Sequence, residues 1–446
     1  MNTIIVHRVG TPAQNGQALL NAMAGITTNS ANNPFLLKIE PGTYDLGNQS
    51  LVMKQFVDIE GSGQLSTTVT AAGSAFTSSG TISGVSNAEL RSLTVANTGG
   101  NTFALGIAGA TQITDVRVIV SGGTDSQYGN MGIQVFSNGA TTITDVRVSV
   151  FSNSGSAGCI GILNNGGASP TMNNVSVNIS SGLTGSAIGV RNVSSAPTVI
   201  NNLTVNISGG TGAFNAGILN ESTASPSVTS SSITVLGFSG STNYGVRNLD
   251  NSSPMLNGIT LDVSGGNVSV DVSSDSSSPT VNNMTASAHG ASNANQCFAC
   301  ANNSACEVGQ SRCNVTGTGT SVDCDDCNSN STCEISHSHL SCSTVTMQEC
   351  DGVANSSSNL ILQNSDVMTS GNGTNKGVVN MANAGNFTII IKNSSIMGMA
   401  AIDSTACAGC TSNVTNSELD GAVAGGTNNC GGAYTSNALP RNNVCQ

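Results

Sequence analysis

Residues 186–208 read SAIGVRNVSSAPTVINNLTVNIS, and they contain one full structural unit of the chain. Val190 stands two residues before Asn192. The same pair returns as Ile162 with Asn164, Ile218 with Asn220, Val246 with Asn248, Cys300 with Asn302, Cys327 with Ser329, Val353 with Asn355 and Val378 with Asn380. A repeat of roughly 25–28 residues kept over so much of a chain is the mark of a solenoid, whose units bury their apolar faces only against one another. Within the unit, Val-x-Asn closes a short strand, a Ser-rich turn follows, and Thr-Val-Ile-Asn-Asn-Leu-Thr-Val reads as a longer strand. Pro170, Pro197, Pro226, Pro254 and Pro279 each stand just before such a strand, where the missing N–H is tolerated.

Working outward, Ile113-Thr-Asp-Val-Arg-Val118 recurs as Ile143-Thr-Asp-Val-Arg-Val148, with Ile and Val turned to one side and Thr, Asp and Arg away from it. The expected fold is all-β: a right-handed parallel β-helix, in which coils lie ~4.8 Å apart and equivalent side chains touch from rung to rung. The asparagines Asn164, Asn192, Asn220, Asn248, Asn302, Asn355 and Asn380 then form an internal hydrogen-bonded ladder. Asn174, Asn202, Asn257 and Asn282 form a shorter second column. Asn15 to Ile26 places Leu19, Leu20, Met23 and Ile26 at helical spacing, and a helix there caps the open end of the first coil. Phe35–Ile39, Tyr44–Leu46 and Val57–Glu60 read as the first strands. Four segments result: 1–84 with the cap and first coils, 85–295 with regular repeats, 296–350 rich in cysteine, and 351–446 ending in a disulfide-closed terminus.

Composition narrows the function. The formal charge is −12 and only 12 residues are Lys or Arg, so the basic face that nucleic acid requires is absent from the sequence. No run approaches the ~20 apolar residues of a membrane span. Fourteen cysteines in a Ser/Thr/Asn-rich chain with 8 % charged residues point to an oxidising, extracellular setting. Met1–Val6 lacks the basic start of a secretion signal, so the expectation is a secreted chain whose leader has been replaced by Met1.

Cys297, Cys300, Cys306 and Cys313 recur one period later as Cys324, Cys327, Cys333 and Cys342. Equivalent residues on adjacent rungs lie within disulfide range, so the expected bridges run between rungs: Cys297–Cys324, Cys300–Cys327, Cys306–Cys333 and Cys313–Cys342, with Cys430–Cys445 closing the end. The competing reading is zinc held by the two Cys-x-x-Cys pairs near His337 and His339. Extended Cys-x-x-Cys residues on opposite faces do not chelate, which favours disulfides. Cys159 and Cys350 align with the first cysteine of that column, and Cys407 and Cys410 repeat the Cys-x-x-Cys; their partners stay open. Asp323, Asp325 and Asp326 suggest either calcium or, more simply, a solubilised strand edge.

The run NPFLLKIEPGTYDLGNQSLVMKQFVDIEGSG (33–63), coils such as NYGVRNLDNSSPMLNGITLDVSGG (243–266) and the closing NNCGGAYTSNALPRNNVCQ (428–446) resemble secreted bacterial parallel β-helix proteins of the pectin-lyase-like superfamily, in a pectinesterase-related subgroup. The resemblance implies the fold and secretion. It transfers no catalytic residue, because the paired aspartates, glutamine and arginine of pectin methylesterases and the aspartate cluster of polygalacturonases are not found. Asp115, Asp145, Asp262 and Asp271 occur singly. The sequence therefore leads to a non-catalytic extracellular structural or adhesive rod without a cofactor, whose partner is a copy of itself or an extracellular glycan. A polysaccharide-binding or polysaccharide-degrading β-helix, tailspike-like forms included, is the alternative.

Overall fold

A computed structural model describes the chain apart from residues 73–78, 100–101, 110, 127, 137–140, 153–156, 182–184, 195–196, 211–213, 345–348, 382–386, 408, 438, 443–444 and 446. Several of the Gly- and Ser-rich loops expected between coils therefore lie outside the described residues. Two units are defined: residues 1–219 with 224–227, and residues 220–223 with 228–446. Each is a parallel β-solenoid.

In the first unit the helix α1 (Pro12–Gly25) begins earlier than its apolar spacing suggested. Thr11 caps it, and Gln14 returns a side-chain acceptor to the Thr11 N–H, at 2.9 Å. Leu19 and Met23 are buried, while Asn15 Nδ2 donates to the Thr43 carbonyl at 3.1 Å. A Cβ on Gly16 would sit 1.9 Å from the Asp45 carbonyl oxygen, so only glycine lets the helix rest directly on strand Gly42–Asp45. Asn2–Val6 pairs in parallel with Phe35–Ile39, which pairs with Val57–Glu60. Beyond them Glu89–Asn97, Gln112–Val120 and Thr171–Ser181 stack with their equivalents in register.

The interior phase is set at one corner. Ile113 and Val116 are both buried although three residues apart, because Asp115 between them adopts φ 54°. Asp145, Asn174 and Asn202 take the same left-handed conformation in successive coils, which Asn and Asp tolerate best among residues bearing a Cβ. In the second unit Asn283, Gln310, His337, Asn364, Asn393 and Asn416 hold the equivalent corner. Each corner turns the strand and resets the alternation, so Val116, Val118 and Val120 continue the core begun by Ile113.

The internal amides bond along the stack. Asn164 Nδ2 donates to Asn192 Oδ1 at 2.8 Å, Asn220 to Asn248 at 2.9 Å, and Asn355 to Asn380 at 3.3 Å. Asn302 departs from expectation: it is an exposed corner residue with φ 56° that donates to Asp275. The ladder position is taken instead by Ser274, Cys300 and Cys327, in register with Asn248 before them and Asn355 after. In the second column, Asn202 donates to Asn174 at 2.8 Å, but Asn257 and Asn282 precede the corner and Asn283 bonds to Asn257.

A polar ladder that the sequence did not disclose runs beside the corner. The N–H groups of Ser311, Ser338, Ser365 and Ser394 donate to Ser338, Ser365, Ser394 and Ser417 Oγ at 3.1–3.2 Å. Each of these hydroxyls donates in turn to a carbonyl of its own coil at 2.8 Å. Buried backbone donors at the turn are thus satisfied rung by rung.

The disulfides join residues within a coil. Cys297 bonds Cys313, Cys300 bonds Cys306, Cys327 bonds Cys333, Cys342 bonds Cys350, Cys407 bonds Cys410, and Cys430 bonds Cys445. None of the four expected rung-to-rung bridges forms, and Cys324 is a free buried thiol, as is Cys159. The reason is direction. Parallel in-register neighbours project their Cβ atoms side by side, ~4.8 Å apart, whereas a disulfide needs Cβ atoms about 3.8 Å apart and converging. Residues facing each other around a corner or across the interior do converge, with Cα separations of 6.1–6.4 Å for the pairs of Cys297, Cys300, Cys327 and Cys342. Cys297 and Cys300 are both buried, because the strand bends between them and does not keep strict alternation. Cys350 pairs in register with Asn375, and Cys159 with Asn130 and Ala187, a column two residues before that of Cys297.

Peptide mapping without reduction is expected to recover Cys297–Cys313 and Cys342–Cys350 linked, with Cys324 alkylated only after denaturation. Ser338→Ala removes the acceptor of the Ser311 N–H and should cost about 1–3 kcal/mol in denaturant unfolding. Ser370→Ala, at an exposed position of the same strand system, should leave the midpoint in place.

Candidate functional site: an acidic column inside the second unit

Four polar side chains replace the usual occupants of one column on consecutive rungs: Gln296, Asp323, Asp351 and Lys376. Gln296 Nε2 donates to Asp323 Oδ2 at 3.5 Å and to Asp326 Oδ2 at 3.4 Å. Ser321 Oγ also donates to Asp323, and Asn328 Nδ2 to Asp326 at 3.2 Å. Lys376 Nζ pairs with Glu349 and, at 3.3 Å, with Asp403. Asp323 is 6 % exposed and Asp351 4 %, and Asp351 Oδ1 has no hydrogen-bond partner.

Two further aspartates lie deeper. Asp325 occupies the apolar column Val272, Phe298, Val353, Val378, and with Phe298, Cys306, Val308, Cys333 and Ile335 it lines an internal void of about 10 Å³. Asp271 lies in a column that is glycine at Gly245 and Gly352, and both of its carboxyl oxygens lack partners. A Cβ at Gly352 would come within 2.1 Å of Val367 Cγ1. Across the coil from the Asp271 strand, Thr285–His289 carries the small Ala286 and Ala288, and Cys297 in the same column is bonded to Cys313.

Burial pushes all of these carboxyls up. Asp323 rises to about 6 through burial, opposed by hydrogen bonds from Ser321 and Gln296 and assisted by the charge of Asp326. Asp325 rises to about 8 through burial and then the charges of Asp326 and Asp323. Asp351 also reaches about 8, through burial and then Asp323 and Glu349, against the pull of Lys376. Asp271 rises well above the carboxylate range through burial and the charge of Asp262. Near neutrality Asp351 and Asp325 favour the protonated form, and Asp323 and Asp351 stand as like-charged neighbours on adjacent rungs.

Such a pair has acid–base character, but burial keeps it from a polymeric substrate. The exposed polar features lie elsewhere. Glu307 and Glu334 are register partners on adjacent rungs and line an open cavity of about 200 Å³ with Thr280 and Ser336. Across the corner, Arg312, His337, His339 and Asp366 border a shallow cavity of about 450 Å³. In the first unit Arg117 and Arg147, also register partners, border one of about 710 Å³ with Gln64, Leu65 and Asp115.

Of the aspartates singled out by sequence, Asp323, Asp325 and Asp326 are buried or largely so and do not edge a strand. Asp115 and Asp145 are corner residues that accept from Gln64 and Asn174, and Asp262 lies 3.7 Å from His289. Asp115 and Asp145 thus stand at the same corner of successive rungs, and Asp262 is near enough for its charge to act on Asp271. Asp351, Lys376, Glu307 and Glu334 were missed, although Glu307 and Glu334 recur at one period like the cysteines. Among the described residues, no group of three or more His, Cys, Asp or Glu side chains is arranged to hold a metal ion. The cysteines of the Cys-x-x-Cys pairs are consumed by disulfides except for Cys324. No helix among the described residues is long and apolar enough to cross a membrane.

No family model matches the chain, and no curated protein matches it. Solved structures similar to it include a pectin methylesterase in complex with hexasaccharide VII, 14 % identical over 51 % of this chain and 83 % of that one, with a TM-score of 0.35. Another is the A-module of the Azotobacter vinelandii mannuronan C-5 epimerase AlgE6, 13 % identical over 95 % of each chain, TM-score 0.34. Tailspike protein 3 of bacteriophage CBA120 is 12 % identical over 95 % of this chain and 58 % of that one, TM-score 0.35. No residue role passes from them to this chain.

The acidic interior has a measurable signature. Because the folded values of Asp323, Asp325 and Asp351 lie above their unfolded ones, the folded state holds extra protons and its stability falls as pH rises from about 4 to about 8. Asp403, held low chiefly by hydrogen bonds from Thr405 and by Lys376 against its burial, acts oppositely and loses its contribution as pH falls through the acid range. The melting temperature should therefore be higher near pH 5 than near pH 8. Asp325→Val, which restores the column's usual residue, should raise it at pH 8 and flatten the slope.

Proposed function

We propose that the protein is a non-catalytic extracellular scaffold whose outer faces carry its interactions. The observation supporting this reading is the placement of its perturbed carboxyls: of those raised among the described residues, Asp271, Asp323, Asp325 and Asp351 are 6 % exposed or less, and Asp326 is half-buried beside them. Hydrolysis or elimination on a polymer needs an acid and a base that reach the substrate. Six disulfides support an oxidising location. Internal ladders and intra-coil crosslinks suit a body that must persist outside the cell.

One observation favours a second reading. Glu307, exposed, and Glu334, half-buried, stack in an open cavity, and two carboxylates on neighbouring rungs are the minimum for polysaccharide cleavage. Incubation with a panel of neutral and acidic polysaccharides, followed by reducing-end and unsaturated-product assays, separates the two. The scaffold releases nothing. Release that disappears in Glu307→Gln and Glu334→Gln would establish the enzyme instead.

A further inference from the structure

Stacking in register doubles any exposed charge. Arg117 and Arg147 stand on adjacent rungs of the first unit, and among the described residues neither guanidinium has a hydrogen bond or an ion pair. Beside them Leu65 is 90 % exposed at the rim of the same cavity. Glu307 and Glu334 stand on adjacent rungs of the second unit, and among the described residues their side chains accept only long hydrogen bonds, from Thr280 at 3.5 Å and Gln363 at 3.4 Å. Among the described residues lining their cavity there is no Lys, Arg or His. Each like-charged pair is destabilising by itself, since charges ~4.8 Å apart repel. Other strong charges are engaged differently: Arg91 binds Glu60 and Glu89, Lys376 binds Glu349 and Asp403, His289 lies near Asp262, and the corner carboxylates Asp115 and Asp145 beside the arginines accept hydrogen bonds from Gln64, Ser92 and Asn174.

We propose that the Arg117/Arg147 pair of one copy docks on the Glu307/Glu334 pair of a second copy. The proposal rests on the scaffold reading and names its partner. Charge sign is complementary, and the spacing is identical because the same rung repeat sets both. Guanidinium and carboxylate meet bidentately, so two stacked pairs fix orientation and register. In a chain of net charge −12 with 12 Lys and Arg, two unpaired arginines on neighbouring rungs are scarce positive charge. The two surfaces differ, so the contact is heterologous and leaves one free face of each kind on every pair of molecules. Growth then continues into open assemblies or closes into rings.

Sedimentation of the full chain over a concentration series tests this. The average mass should rise with concentration at low salt and fall as added NaCl shortens the Debye length to about 10 Å and below. R117E/R147E and E307R/E334R should each weaken association at least about tenfold, the equivalent of 1.4 kcal/mol. An equimolar mixture should regain it, because each variant supplies the face its partner lacks. Far-ultraviolet circular dichroism and melting verify that both variants fold. A monomer at every concentration overturns the proposal, as does association unchanged in either variant or not restored by mixing. A monomer that binds an acidic glycan through Arg117 and Arg147 overturns it too. Polysaccharide cleavage, by contrast, would remove the scaffold reading and leave these outcomes to be read separately.

Discussion

The structure depends on one constraint: parallel strands hydrogen-bonded in register, with each coil ~4.8 Å from the next. Every side chain then has its equivalent as nearest neighbour, and a column is good or bad according to whether its residue tolerates a copy of itself. Val and Ile do, through dispersion. Asn does, because an amide both donates and accepts, so Asn164 and Asn192 satisfy each other in the dry interior. Ser does as well, since one hydroxyl accepts from the next N–H while donating to its own coil, as Ser338 does between Ser311 and the Ser336 carbonyl.

Charged residues fail the same test, and the chain resolves the failure in two ways. Inside, protons neutralise the stack: Asp351 and Asp325 rise to about 8, and Gln296 and Lys376 flank Asp323 and Asp351 with donors. Outside, a carboxylate stays ionised and needs an external counter-charge. Arg117 with Arg147 and Glu307 with Glu334 are two unresolved stacks of opposite sign, and a contact between molecules relieves both. Burial first, and repulsion from neighbouring carboxylates second, account for the protonated interior, while repulsion between rungs alone acts on the outer faces.

Much of the coil was legible, because apolar periodicity survives in Ile162, Val190, Val246, Val353 and Val378 without reference to contacts. Errors arose where one column changed chemical type. Cys300 was aligned with Val246, but it stands in register with Ser274 and Asn355 at the ladder position, and the apolar column there holds Phe298 and then Asp325. That slip of two residues placed Asn302 in the ladder and hid the buried carboxyl. Alternation could not correct it, since left-handed corners such as Asp115 and the bend between Cys297 and Cys300 reset the phase. Sequence spacing also gives the distance between rungs but not the direction of a Cβ, which is why the disulfide partners were assigned between coils. The serine ladders were invisible for a plainer reason: serine is everywhere in this chain, and nothing in the sequence separates the buried corner ones from the rest.

The crosslinks mark the coils where the core is weakest. Over residues 261–350 interior positions held elsewhere by Val, Ile and Leu carry Ala286, Ala288 and Asp325, and Asp271 places a carboxyl where the column is otherwise glycine. Each Leu- or Val-to-Ala difference removes roughly 2–3 kcal/mol of burial even where the surroundings close in, and a buried carboxyl must be kept protonated as well. Four of the six disulfides fall within or at the end of this segment, each joining residues that face the interior. A bridge of short span restrains the unfolded chain modestly, so its value here is local: it holds two walls of one coil together where side-chain packing does so poorly. Crosslink placement therefore follows the deficit in the core.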